Sequence, residues 1–260
     1  MASSVFTRNP NFRPDTPYGG VGNTPAPGNG NPFTPAPQLA APMTFENTMQ
    51  KIVFCFIAVL AGAGIGWVVP VLALPAVIVG LVLGIVNAVK KEPNKFLILS
   101  YSLVQGLVVG GLSSLLEIQQ PGILSQAVLA TLVVIGTTLA LYTSGKVRSS
   151  PKMTQFFLIS MTAYFIFSLI NLGMMMTGLT QSAWGLHTDI NIFGIPLGLI
   201  LGVFAIFLGT YSLILDFDFV KGGIANNIPE RFGWTAAFGI VATVVWIYVE
   251  ILRLISIVRN

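Results

Sequence analysis

Asp216, Asp218 and Glu250 stand in or beside the last two apolar stretches of a 260-residue chain that otherwise keeps nearly all its charge in the connections. A carboxylate in hydrocarbon is costly unless it is paired, protonated or hydrated, so acids in such places are candidates for function. The chemistry they offer is that of protons and cations. Two readings are open for the aspartates, which close the segment Tyr211-Ser212-Leu213-Ile214-Leu215-Asp216-Phe217-Asp218. A helix begun near Phe193 reaches Leu213 after about 20 residues, leaving both acids hydrated at the interface. A helix that tilts or runs further keeps Asp216 inside a bundle, where it can take up and release a proton.

Glu250 follows Trp234 by sixteen residues and is flanked by Ile247, Tyr248, Val249, Ile251 and Leu252. Here too two readings are open. Arg253, three positions on, shares its helix face and can pair with it. Alternatively Glu250 faces the interior and shares a proton or cation with an aspartate of the preceding segment. Two carboxylates within hydrogen-bond reach titrate as a unit and can act as a proton-controlled switch.

The other polar residues at membrane depth, Gln105, Asn171 and Thr131, read as interhelical hydrogen bonds. His187 lies in a polar connection without acidic or thiol partners at metal-ligand spacing, and reads as an interfacial loop residue. Cys55 is the one cysteine and sits inside the first apolar block, so no disulfide framework exists and plain packing is expected for it. No nucleotide-binding glycine motif, nucleophile-base-acid set or metal signature is present. The chain is therefore not expected to be an enzyme, to hold a cofactor or to bind nucleic acid. Calcium enters only as a transported ion: the three acids offer it hard oxygen ligands, too few for a full site without carbonyls or water.

The elements that must position these acids follow from composition. With 54% hydrophobic and only 8% charged residues, the chain cannot bury its apolar surface in one soluble core. The apolar residues come in blocks of about 20, the length that crosses about 30 Å of hydrocarbon. Seven segments result, at about 50–69, 71–89, 96–116, 124–144, 153–176, 191–217 and 234–257, separated by Pro70, Lys90 to Pro93, Pro121-Gly122, Gly145 to Lys152, Thr177 to Asp189 and Gly222 to Gly233. Backbone groups in lipid must be satisfied internally, and no ten-residue alternation suggests a barrel, so the expected fold is an all-α, seven-helix transmembrane bundle over 45–260.

Residues 1–44 hold nine of the sixteen prolines among Gly, Asn, Thr and Ala, and are expected to form a disordered tail that is not a secretory signal. Eleven of the thirteen Lys and Arg residues fall before the first segment or in the even-numbered connections, which places the N-terminus in the cytoplasm of a cell-membrane protein. Gly62 and Gly66, Gly80 and Gly84, Gly106 and Gly110, and Gly198 and Gly202 recur at four-residue spacing, which reads as close helix packing within one bundle.

The segments Leu141 to Lys146, Ile214 to Asp218 and especially Trp246-Ile247-Tyr248-Val249-Glu250-Ile251-Leu252-Arg253-Leu254 resemble the Bax inhibitor family in its bacterial YccA/YetJ-like branch, over about residues 45–258. The resemblance implies six helices around a central, C-terminal seventh, with two acids on the sixth and seventh helices forming a pH-sensitive pair linked to calcium leak. Asp216 and Glu250 match those acids, and Asp218 is an extra acid with no assigned role.

Three departures qualify the resemblance. Glu250 stands where the family usually has Asp, which lengthens its reach. The family's channel members latch the pore with a basic residue on the second helix, yet nothing between Pro70 and Val89 is charged. Asp216 and Glu250 also lie 34 positions apart, a long separation. Helices running symmetrically from a turn near Asn227 would put the two acids about 16 Å apart in depth. They meet only if one helix stops at Gly222-Gly223, the next begins at Pro229, and the loop climbs about 22 Å.

The reading that follows is a pH-sensitive calcium or cation leak gated by a carboxylate pair. The alternative is a non-conducting regulator that binds another membrane protein, such as a quality-control protease.

Overall fold

The structure, a computed structural model, describes residues 41–180, 182 and 184–259. The tail expected over 1–44 lies, for residues 1–40, outside the described residues. Residues 41–44 belong to the bundle instead. The Met43 amide donates to the Ile228 carbonyl (2.7 Å), the Glu230 amide donates to the Ala41 carbonyl (2.7 Å), and the Met43 side chain is buried against Gly223. A hydrophobic side chain just before a helix start finds an apolar socket, which outweighs the proline-rich composition around it.

Seven helices long and apolar enough to cross a membrane run up and down. They are α1 (Phe45–Val68), α2 (Ala73–Val89, entered through a 3-10 turn at Pro70–Leu72), α3 (Lys95–Gln119), α4 (Ile123–Thr143), α5 (Pro151–Met176), α6 (Leu197–Ala225) and α7 (Gly233–Arg259). The starts carry caps that satisfy orphan amides. Thr44 and Asn47 form a reciprocal capping box, the Asn94 side chain accepts from the amides of Phe96 and Leu97, and Ser150 caps α5 ahead of Pro151.

The sixth element departs most from its expected bounds. It starts at Leu197 rather than 191, because Phe193 and Gly194 adopt left-handed backbone (φ 54° and 81°) at the tip of a two-stranded hairpin, β1 (Asn191–Ile192) and β2 (Ile195–Pro196). It ends at Ala225 rather than 217, running straight through Gly222-Gly223. Glycine weakens a helix without ending one whose other residues are packed.

α7 is the centre. Two-thirds of its apolar window is buried (67%), against no more than 44% for any other span and 11% for α5. It packs on α1, α3, α4 and α6, while α5 rests mainly on α6. The tightest helix pair is α1 with α3. A Cβ added at Gly62, Gly66, Gly106 or Gly110 would collide with backbone carbonyl oxygens of the facing helix, which is how bare helix faces let backbones touch in lipid. At one end of the bundle lie Lys51, Lys90, Lys91, Lys95, Lys146, Arg148, Lys152, Lys221 and Arg231, and we call it the basic end. Lys51 is buried there, its amine 2.9 Å from both the carboxylate and the carbonyl of Glu230.

Candidate functional site

The sequence leaves open whether Asp216 and Glu250 meet, and the antiparallel register of α6 and α7 decides it. Small residues let the helices close on each other and fix which residues face. Gly198 abuts Ile257, Gly202 abuts Leu254, Gly209 abuts Ile247, and Gly239 of α7 abuts Asp216. In that register Asp216 faces Gly239 and Thr243, whereas Glu250 faces the neighbourhood of Ile206. The two acids are thus about ten residues out of step, or roughly 15 Å along the axis at about 1.5 Å per residue. The turn from 226 to 232 is compact and does not make the long climb that a pair would need, because α6 continues to Ala225. Asp216 and Glu250 therefore occupy two separate sites, and the shared-proton geometry weighed from the sequence does not occur in this structure.

At the Asp216 site, Oδ2 accepts from the Thr243 hydroxyl (2.7 Å), and Thr243 Oγ1 lies 3.1 Å from Ser212 Oγ. A Cβ on Gly239 would come within 2.7 Å of Asp216 Oδ1, so this glycine makes room for the carboxyl group. No Lys, Arg or His among the described residues pairs with Asp216. Among the described residues its carboxylate is held by one hydroxyl, that of Thr243.

The Glu250 site is built the opposite way. Glu250 is 4% exposed, and its carboxylate forms an ion pair with Arg253 one helical turn on. Oε1 also accepts from the Tyr164 hydroxyl of α5 (2.5 Å) and from Trp246 Nε1 (3.2 Å). Arg253 Nη2 donates to the Tyr164 oxygen (2.8 Å), closing a three-membered ring of charge-assisted bonds. The pairing with Arg253 was one of the two readings open from the sequence. Trp246 lies four residues back on the same helix face, whereas Tyr164 carries no sequence signal beyond being a hydroxyl at membrane depth.

Asp218 has a third, separate role. Its carboxylate accepts from the Tyr142 hydroxyl (2.8 Å) and the Ser149 amide (3.3 Å), tying the α4–α5 connection to α6. The three acids consequently do not converge into one oxygen cage, and among the described residues no group of three or more His, Cys, Asp or Glu could hold a metal ion.

Beyond the Glu250 end, the α5–α6 connection folds over the bundle. His187, expected as an interfacial loop residue, is 2% exposed. Its Nδ1 lies 3.2 Å from Asn171 Nδ2 and 3.1 Å from the Trp184 carbonyl, and its ring stands edge-on to Phe167. Burial, with the charge of Arg253 adding to it, pushes the imidazole pKa from its ordinary 6.5 down to about 4. Asn171 also accepts from the Leu186 amide (2.7 Å), so it ties a helix to this loop rather than to another helix. Thr131 bonds only back to Ala127 of its own helix. Cys55 is fully buried in the packed core.

A family model described as Bax inhibitor 1 like matches residues 3–260. The chain belongs to this Bax inhibitor-like family. The match covers the seven spans and extends into the proline-rich stretch, further than the 45–258 over which the resemblance was traced. It supports the family as a whole and not the YccA/YetJ-like branch in particular. Comparison with curated proteins found no match. A multi-pass membrane protein with an all-α bundle is what both the family and the seven apolar helices describe.

Proposed function

We propose that the protein is a pH-sensitive cation leak, with calcium as the cation, in a cell membrane and with its basic end and N-terminus in the cytoplasm. The observation that carries this reading is the contrast between the two acids. Glu250 is neutralised by Arg253 and clasped by Tyr164, while Asp216, at membrane depth on the facing helix, has one hydroxyl donor and no cationic partner among the described residues. A carboxylate so placed is a station for a proton or a passing cation. In this reading the two acids act as two successive elements. Asp216 binds, and the Glu250–Arg253–Tyr164 ring bars the path toward the far end until one of its bonds breaks. The orientation rests on the Lys and Arg residues gathered at one end, the distribution of cytoplasmic loops.

The test is calcium flux into liposomes containing the purified protein, followed from pH 5 to 8. Asp216→Asn is expected to flatten the pH dependence, and Glu250→Gln to raise flux while leaving a dependence from Asp216. Identical fluxes in the wild type and both variants, or no flux above protein-free liposomes, would refute the reading. The absence of any flux would instead favour a regulator of another membrane protein.

A further inference from the structure

α1 and α4 stand apart on one flank of the bundle, and the gap between them is a lateral cavity of about 920 Å³ floored by α3, α6 and α7. Along α1 its wall runs from Phe45 to Trp67, 22 residues or about 33 Å at about 1.5 Å per residue, which is the hydrocarbon thickness of a bilayer. Leu60 and Leu132 on its rims are 71% and 61% exposed, so the opening faces lipid. The walls are apolar over nearly their whole length. Ser113, Thr131 and Tyr248 add a few hydroxyls along it, and at the basic end Tyr142, Thr143 and Lys221 line the mouth. Lys221 is exposed and forms no ion pair among the described residues.

We infer that the basic-end half of this groove is a binding site for one anionic phospholipid, with its acyl chains against Phe56, Leu139 and Val220 and its headgroup phosphate at Lys221. An apolar trough open to the bilayer is filled by what surrounds it, and close packing favours a chain that fits over a void. The trough opens sideways onto lipid and its lining is almost wholly apolar, which suits acyl chains. Charge selects the headgroup. A lysine near the end of a membrane helix extends its stem along apolar surface and presents its ammonium at headgroup level, where it attracts anionic lipid. The floor of this half of the groove includes Ile240 and Val244 of α7, so the lipid touches the central helix directly.

The experiment is native mass spectrometry of the full chain released from bilayers of equal phosphatidylglycerol and phosphatidylcholine, with no ion gradient and hence no dependence on the leak. One retained phosphatidylglycerol per chain is expected, with a preference of about fivefold over phosphatidylcholine from one lysine. Lys221→Ser should bring that preference close to parity while a lipid is still retained. Leu139→Trp should fill the trough and abolish retention, with its melting temperature reporting that it folds. Equal retention of both lipids by the wild type, no retained lipid, an unchanged preference in Lys221→Ser, or a polypeptide held in place of lipid would each overturn the inference. Because Lys221→Ser alters one exposed side chain, it decides the matter even if Leu139→Trp does not fold.

Discussion

Asp216 and Glu250 face the same helix interface but stand about ten residues apart in its register, roughly 15 Å along the axis. Each therefore answers to its own neighbours, Asp216 to Thr243 and Glu250 to Arg253, and the two sites should respond independently to substitution.

Among the described residues the Thr243 hydroxyl is the single close donor to Asp216. Thr243→Val keeps the shape and removes the donor, leaving a carboxyl oxygen unsatisfied at a cost of about 1–3 kcal/mol. A lower melting temperature in detergent and an altered pH profile of flux are expected, with Thr243→Ser restoring both. A Thr243→Val protein matching the wild type in both measurements would show that the bond is idle.

Breaking a buried ion pair from one side strands the other charge. Glu250→Gln and Arg253→Met should each destabilise the protein by about 3–5 kcal/mol. The double variant should lose clearly less than the sum, since the residues are in direct contact. Denaturant titration of the four proteins measures the coupling, and strict additivity would contradict the geometry.

Glycines in the same bundle should behave oppositely according to what faces them. Gly110→Ala forces α1 and α3 apart, because the added carbon meets the Ala63 carbonyl, and a large loss of melting temperature follows. At Gly136, where an added carbon meets nothing within 4 Å, alanine should stabilise by about 0.5–1 kcal/mol.

His187 should make the loop over the far end sensitive to acid. Its pKa is about 4 when the loop is closed and about 6.5 when it is open, so the open loop binds more protons between those values. Closure is fully supported above about pH 6.5 and weakens as pH falls toward 4, by at most about 3 kcal/mol. Hydrogen exchange of residues 184–196, corrected for intrinsic rates, should show protection declining over that window in the wild type and staying flat in His187→Phe.

The spans were legible because lipid demands about 20 apolar residues in a row, and the glycine faces of α1, α3 and α6 because four-residue spacing marks one side of a helix, whereas at Gly80 and Gly84 of α2 an added carbon meets nothing closer than 3.4 Å and no close approach occurs. What a short window hides is how two helices line up. Tyr164 reaches Glu250 across 86 positions of chain, and Thr243 meets Asp216 only because α6 runs through Gly222-Gly223. Composition treats that glycine pair as a stop, and only the packing of the rest of α6 overrides it. For the same reason Met43 passed as part of a tail: its socket at Gly223 is made by distant sequence.

α5 is the least enclosed helix of the bundle and leans mainly on α6, yet it carries the hydroxyl that clasps Glu250. It is thus the element with the least to lose by swinging outward. Such a swing would strip the tyrosine from the carboxylate and lift Phe157 off Tyr211 and Ile214, yet it would leave the packing of α7 on α1, α3 and α4 in place, so this door would open within a frame that stays rigid.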